Sequence, residues 1–240
     1  MSDLVLKLDE VCMSFGAVEV IQNFSLAVER GEFVALVGPS GCGKTTLLNL
    51  MSGFMAPGGG TLDRREPCHT VYQENGLFPW RTAAENIELG LVSAQSAQDG
   101  DLLDILTLIG LNGFEDYYPH QLSGGMCQRV ELARALVGGN NLLLMDEPFS
   151  SLDYITRLRL RREFARMLKE RPRTVILVTH DIEEAAQMAD RVVVLTDRPA
   201  RIRSERTIGM PRPRDLTDHE VVRAIHDLLG EMGLEGTDKE

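Results

Sequence analysis

Phe33-Val34-Ala35-Leu36-Val37-Gly38-Pro39-Ser40-Gly41-Cys42-Gly43-Lys44-Thr45-Thr46 is the stretch on which the fold turns. Its first five residues are apolar on both faces, as a parallel strand buried between two layers requires. Glycine follows at once, and a helix predicted over 45–54 then carries Leu47, Leu48 and Met51 on one face. The join from Gly38 to Thr45 fits G-x-x-x-x-G-K-[ST] in the strand–loop–helix setting that turns this pattern into a mechanism. Gly38, Ser40, Gly41, Cys42 and Gly43 would curl the backbone so that successive N–H groups point inward, and the helix N-terminus adds positive potential. Lys44 supplies a point charge for the β- and γ-phosphates, Thr45 a hydroxyl for Mg²⁺, and Thr46 a further hold on the phosphates. The expected ligand is a nucleotide, and Cys42 is expected to be a site where thiol reagents block it.

A cradle binds without hydrolysing, so a carboxylate is needed at the tip of a second buried strand. Leu142-Leu143-Leu144-Met145-Asp146-Glu147 provides two. Asp146 would face the metal, directly or through water, and Glu147 would polarise the attacking water as general base.

Outward from these two strands, short strands are predicted at 4–8, 18–21 and 24–28, and a helical signal runs from 82 to 137 in segments 83–91, 102–109 and 129–136. Strand character returns at 142–145, 175–178 and 191–195, with helices over 154–170 and 182–188 between them. This order predicts an α/β fold with a parallel core around the phosphate loop and an inserted helical lobe. Residues 1–210 would form one ATPase domain, with 1–75 and 138–210 as its nucleotide-binding core and 76–137 as the lobe. Residues 211–240 would be a helical tail, started by a capping box at Thr217-Asp218-His219-Glu220 and docked through Val221, Ile225, Leu228 and Met232.

Composition narrows the function. The chain has 240 residues, 43% apolar and 25% charged, values ordinary for a soluble globular protein. Its formal net charge of −11 opposes a nucleic-acid partner, because an acidic surface repels phosphate unless a groove is locally basic. Apolar runs such as Val175-Ile176-Leu177-Val178 are far below the roughly 20 residues a membrane span needs. The start has no basic leader followed by an apolar stretch, so export is not expected. Cys12, Cys42, Cys68 and Cys127 include no Cys-x-x-Cys pair and read as reduced cytosolic thiols. Arginines at 157, 159, 161, 162 and 166 read as a solvated helix face, with Leu158, Phe164 and Leu168 turned inward.

A second Ser/Gly element, Leu122-Ser123-Gly124-Gly125-Met126-Cys127-Gln128-Arg129, precedes a helix, and one chain does not need two such elements for one γ-phosphate. This segment resembles the signature motif of ABC ATPases. The resemblance implies the fuller form of the fold, a P-loop NTPase with a RecA-like parallel sheet and a small antiparallel β-subdomain. It also implies ATP as the nucleotide and a head-to-tail dimer, in which Ser123, Gly124 and Gly125 of one subunit close over ATP held by the loop of another. Other motifs are similar in order along most of the chain. Phe15 stands where an aromatic ring stacks on adenine, usually tyrosine, and Gln73 stands where a glutamine senses metal and γ-phosphate at the hinge into the lobe. Ser150-Ser151-Leu152-Asp153 resembles the loop joining the two sites, and His180 the switch histidine that contacts γ-phosphate. Cys127 departs from the usual arginine or glutamine, a change expected at the helix surface, and the stretch from Gly58 to Gln73 is short, so the antiparallel hairpin there is expected to be trimmed.

Gly76-Leu77-Phe78-Pro79-Trp80-Arg81 carries the only tryptophan. Phe78 and Trp80 either seed the core of the lobe or line a groove for a permease's coupling helix. With Asp197-Arg198-Pro199-Ala200-Arg201-Ile202, this stretch is similar to ATPases of nitrate, sulfonate, taurine and pyrimidine-precursor importers. The resemblance implies a peripheral subunit on the cytoplasmic face of the membrane, paired with itself or a close homologue beneath permease subunits that a solute-binding protein serves, and with no nucleic acid. The alternative is a soluble ABC ATPase acting on ribosomes or DNA; a nucleotide-binding module without hydrolysis is opposed by Asp146, Glu147 and His180.

Overall fold

The computed structural model describes residues 3–72, 76–92, 100–138, 140–170 and 172–233. In chain order the elements are β1 (Leu4–Phe15), β2 (Val18–Glu29), β3 (Phe33–Val37), α1 (Lys44–Ser52), β4 (Gly59–Arg64), β5 (Cys68–Val71), α2 (Ala83–Val92), α3 (Gly100–Leu108), α4 (Gly124–Val137), β6 (Leu142–Asp146), α5 (Tyr154–Glu170), β7 (Thr174–Thr179), α6 (Ile182–Met188), β8 (Arg191–Leu195), β9 (Ile202–Thr207) and α7 (His219–Glu231).

Among the described residues, six strands form one sheet in the order β5-β6-β7-β3-β8-β9, parallel from β5 to β8 with β9 antiparallel at the edge. Every residue of β3, β6 and β7 is buried, as strands covered on both faces must be. Alternate residues divide between two cores. Phe33, Ala35, Leu143, Met145, Val175 and Leu177 pack toward α5, α6 and α7, while Val34, Leu36, Leu144, Ile176 and Val178 pack toward α1 and the β1–β2 pair. Because β6, β7 and β3 are neighbours and parallel, the residues that follow them emerge along one edge of the sheet. Those residues are Glu147, next to Asp146 at the end of β6, His180 and the phosphate loop.

The second sheet is antiparallel, in the order β2-β1-β4. Where the sequence reads as several short strands, β1 and β2 are twelve residues each, interrupted by register shifts instead of turns. Glu10 (φ 50) and Asn23 (φ 48) adopt left-handed backbone there, and Ser25 Oγ accepts the Glu10 N–H at 2.9 Å. In the short stretch after Gly58, β4 alone joins this sheet and β5 crosses to the other. The unforeseen β9 alternates half-buried and exposed residues that are mostly polar, and Arg206 within it is held by Asp227 and Glu231 of α7.

The helices α2, α3 and α4 enclose a third core that includes Leu77, Ile87, Leu106, Ile109, Cys127 and Val130. At the other end, Val221 and Leu228 of α7 are buried in the main core with Ile225 and Met232 against it. The expected capping box does not form: the N-cap is Asp218 without a side-chain bond to the helix, and Thr217 Oγ1 donates to Asp215 Oδ1 at 2.8 Å instead. The segment before α7 is pinned by buried Arg214, which donates to the carbonyls of Ala186, Ala189 and Ile208. Burial pulls its pKa down to about 10, with Asp190 opposing and Arg212 adding to the shift. No described helix is long and apolar enough to cross a membrane.

Candidate nucleotide site

The phosphate loop leaves the buried end of β3 and enters α1 at Gly43, whose φ of 124 suits glycine and where a Cβ would lie 3.0 Å from Val20 Cγ1. No side chain caps this helix, so its first N–H groups are available to an anion. Buried Lys44 lies over the loop, its Nζ donating to the carbonyls of Gly38 and Pro39, both at 2.8 Å. Cys42 points down into the core beneath the loop and is 2% exposed. Burial pushes its thiol above the usual range against the pull of Lys44, which opposes modification by thiol reagents.

A cavity of about 600 Å³ opens above the loop, lined by Phe15, Val18, Val20, Ser40, Gly41, Gly43, Lys44, Thr45, Thr46, Glu147 and Arg198. Phe15 leaves the β1–β2 turn half-exposed at its wall. Asp146 is buried beside it; burial raises its carboxyl above the ordinary range, while a hydrogen bond from the Thr45 hydroxyl and the charge of Lys44 pull it back. Hydroxyl and carboxylate together are hard oxygen donors of the kind Mg²⁺ takes.

Glu147 continues the β6 ladder by donating its N–H to Val178 O at 2.9 Å, then turns into left-handed backbone with φ 48. Ser150 fixes this turn through its N–H and its Oγ, both on Glu147 O. A non-glycine residue held in this region needs such support and is typical of functional positions. The turn brings Glu147 Oε1 within 2.9 Å of His180 Nδ1.

Beneath His180 lies a group the sequence reading assigned to solvent. Arg161 is only 2% exposed; its Nη2 meets Asp181 Oδ2 at 2.6 Å and its Nε lies 3.7 Å from Glu184 Oε1. Thr179 Oγ1 donates to Glu184, and Asp181 Oδ1 caps α6 by accepting the Glu184 N–H at 3.1 Å. The arginine face is therefore split, with Arg159 and Arg162 exposed and Arg161 inward, because Leu160 and Phe164 rather than Leu158 set the buried side of α5. The i,i+4 spacing of Leu160 and Phe164 is the signal that could have located it.

Ser123 and Gly124 are exposed at the start of α4 and, with Gly125, are not among the residues lining the cavity. Ser123 Oγ caps the helix by accepting the Met126 N–H at 3.2 Å. Cys127 is buried, not superficial, and its Sγ lies 3.4 Å from Pro119 O. Leu152 packs where a Cβ on Gly125 would be 3.1 Å away, and Ser151 Oγ donates to Gln128, so the 150–153 loop meets the signature helix within one chain. Gln73 lies outside the described residues. Downstream, Gly76 N–H donates to Glu131 Oε2 at 3.2 Å and Gly76 O accepts from Arg134 at 2.9 Å. Phe78 and Trp80 contact each other at 5.4 Å between ring centroids and both face out, Trp80 at 69% exposure; Leu77 takes the core position instead.

The ABC transporter family profile matches residues 21–150. An aliphatic sulfonates import ATP-binding protein, SsuB, of Granulibacter bethesdensis is 43% identical over 230 residues, 96% of this chain and 95% of that protein. An uncharacterised ABC transporter ATP-binding protein of Methanocaldococcus jannaschii is 42% identical over 224 residues, 88% of this chain and 84% of that one. A solved dimeric ATP-binding cassette, MJ0796, in a post-hydrolysis state with ADP and Pi, superposes with a TM-score of 0.74 at 30% identity, covering 85% of this chain and 99% of that one. The chain belongs to the ABC transporter ATP-binding family and is an ATPase with the P-loop α/β fold.

Proposed function

We propose that this chain is the ATP-hydrolysing subunit of an importer for a small anionic solute of the sulfonate, taurine or nitrate type or a pyrimidine precursor, bound peripherally at the cytoplasmic face of a membrane. The observation that carries the catalytic part is the 2.9 Å contact between Glu147 and His180 beside the cavity above the phosphate loop. ATP would stack its base on Phe15 and lay its phosphates on Gly38, Ser40, Gly41, Cys42, Gly43, Lys44 and Thr46. Thr45, Asp146 and, by family resemblance, Gln73 would hold Mg²⁺, which supplies charge neutralisation for the transferred phosphoryl group. Glu147 takes the proton of the attacking water as its oxygen bonds to the γ-phosphorus and the bond to ADP breaks; His180 orients Glu147 through Nδ1 and faces the γ-phosphate.

The half-site assignment rests on Ser123, Gly124 and Gly125, which are not among the residues lining their own chain's cavity and of which Ser123 and Gly124 are exposed to a second copy or a close homologue. Exposed Phe78 and Trp80, beside a cavity of about 320 Å³ lined by His69, Gly76, Leu89 and Arg134, form the surface assigned to the permease. The import reading draws on the 43% identity to a sulfonate import subunit over nearly the whole chain. The test is Glu147→Gln. Removing a general base should slow turnover by about 10²-fold or more, with ATP affinity retained and the closed dimer accumulating on gel filtration; substantial remaining hydrolysis would assign another base. Affinity purification of the full chain from its own membranes should bring down a hydrophobic permease, and recovery of ribosomes or DNA in its place would overturn the transport role.

A further inference from the structure

The turn between β8 and β9 is tied down on two sides. On one side Ala200 N–H donates to Val20 O at 2.8 Å and Gln22 N–H donates to Ala200 O at 3.2 Å, so the turn runs as a short parallel addition to β2, the strand next to Phe15. On the other, Arg198 Nε and Nη2 both donate to Gly41 O, at 3.1 and 2.5 Å. The turn is closed on itself: Thr196 N–H donates to Arg201 O at 3.0 Å and Thr196 Oγ1 accepts the Arg201 N–H at 3.1 Å. An exposed arginine is thus mounted on a fixed support, between the wall assigned to the base and the loop assigned to the phosphates.

Two properties of this placement bear on binding. Gly41 has φ +75 and carries its carbonyl toward the guanidinium, and a cation on a peptide oxygen polarises the N–H of the same peptide, here that of Cys42. The guanidinium also lines the cavity with Lys44, Ser40 and Thr46, and its Nη1 makes no hydrogen bond to a described residue. Arginine presents a planar fork suited to phosphate, so two donors can hold the loop while others reach a ligand.

We propose that Arg198 is a nucleotide-affinity determinant: it fixes the phosphate loop through Gly41 O and adds a second cation, beside Lys44, for the phosphate chain. The proposal rests on reading this cavity as the nucleotide site. It is tested by titrating ADP into the purified full chain and its R198A, R198K and K44A variants by calorimetry, with adenosine titrated by NMR as the phosphate-free probe. R198A should weaken ADP binding about tenfold, the scale of one charge-assisted contact, and leave adenosine binding unchanged; R198K, which keeps the charge but loses the fork that spans Gly41 O and a ligand, should recover only part of that loss. Wild-type ADP affinity in R198A, or equal losses for ADP and adenosine, would each overturn it. K44A separates the two readings: if it too binds ADP normally, the cavity assignment fails, whereas loss in K44A with none in R198A removes Arg198 alone.

Discussion

Among the described residues, two helices start with a glycine-rich turn, and they treat their N-termini in opposite ways. The first, α1, begins at Gly43 with no side-chain cap, while α4 begins at Ser123, whose own hydroxyl accepts the Met126 N–H. Buried Lys44 lies across the loop before α1, whereas Ser123 and Gly124 stand exposed. The first leaves its N-terminal N–H groups free of side-chain caps, as the proposed phosphate site requires. The second is capped by its own serine, and the proposed role for its exposed turn lies with a second copy. Lys44→Ala breaks the comparison most directly: ATP affinity of the isolated subunit, read by calorimetry, should fall by about 10²-fold or more, since a buried charge-assisted contact is lost. Unchanged affinity would mean that the uncapped terminus is not the phosphate site.

Ser123→Ala sharpens the same comparison from the other side. Nucleotide affinity of the single subunit should stay within about twofold, because Ser123 is not among the residues lining its own cavity, and losing the cap should cost roughly 1 kcal/mol in urea unfolding. Turnover measured at protein concentrations where subunits pair should nonetheless drop about tenfold or more, the scale of removing one donor to developing charge. Full turnover with only the stability loss would reduce α4 to an ordinary capped helix.

These differences also explain what could be read from the sequence. The buried strands β3, β6 and β7 and the glycines of the phosphate loop were legible because continuous apolar runs and G-x-x-x-x-G-K-[ST] are local signals with one physical meaning. The P-loop α/β architecture followed from their order. The strand β9 was not legible, since its alternation is polar and its ion pairs come from α7, far along the chain. The bulges at Glu10 and Asn23 imitated strand ends, and Thr217 imitated a capping residue while Asp215 held its hydroxyl. Within the candidate site, Asp146 ends a buried strand and Glu147 and His180 each follow one, so they could be found by position; Arg161 was signalled only by the spacing of Leu160 and Phe164, and the contact of Arg198 with Gly41 is tertiary and encoded by no local pattern.

A third N-terminus extends the comparison and carries a pH signature. The helix α6 is capped by Asp181, and its first turn holds Glu184 fully enclosed against Thr179 and Arg161. Burial raises the Glu184 pKa to about 7, with Arg161 and the Thr179 hydroxyl opposing, from 4.5 in the unfolded chain. Below pH 4.5 both states are protonated. As pH rises toward 7, the unfolded chain ionises first, and the folded state loses relative stability, by about 3 kcal/mol over the window at 1.4 kcal/mol per unit. Glu184→Gln removes this titration, so the stability of the native chain relative to the variant should decline from pH 4.5 to pH 7 and level off above it. Urea unfolding at several pH values gives the difference directly. A constant difference would show that Glu184 is ionised throughout and that its partners outweigh its burial.

The smallest expected effect concerns the cysteines beside the two glycine-rich termini. A thiol near a helix N-terminus normally ionises more readily, yet Cys42 beside α1 and Cys127 in the first turn of α4 are both pushed the other way by burial. Cys12 and Cys68 are only half-buried. Brief maleimide treatment near neutral pH, mapped by mass spectrometry, should therefore label Cys12 and Cys68 before Cys42 or Cys127, with ATP binding retained while the first two are modified. The margin is a matter of access and thiolate fraction, so it should shrink as pH is raised. Prompt labelling of Cys42 would mean that the phosphate loop opens readily without its ligand, and the anion receptor at α1 would then be assembled by binding, not built in advance.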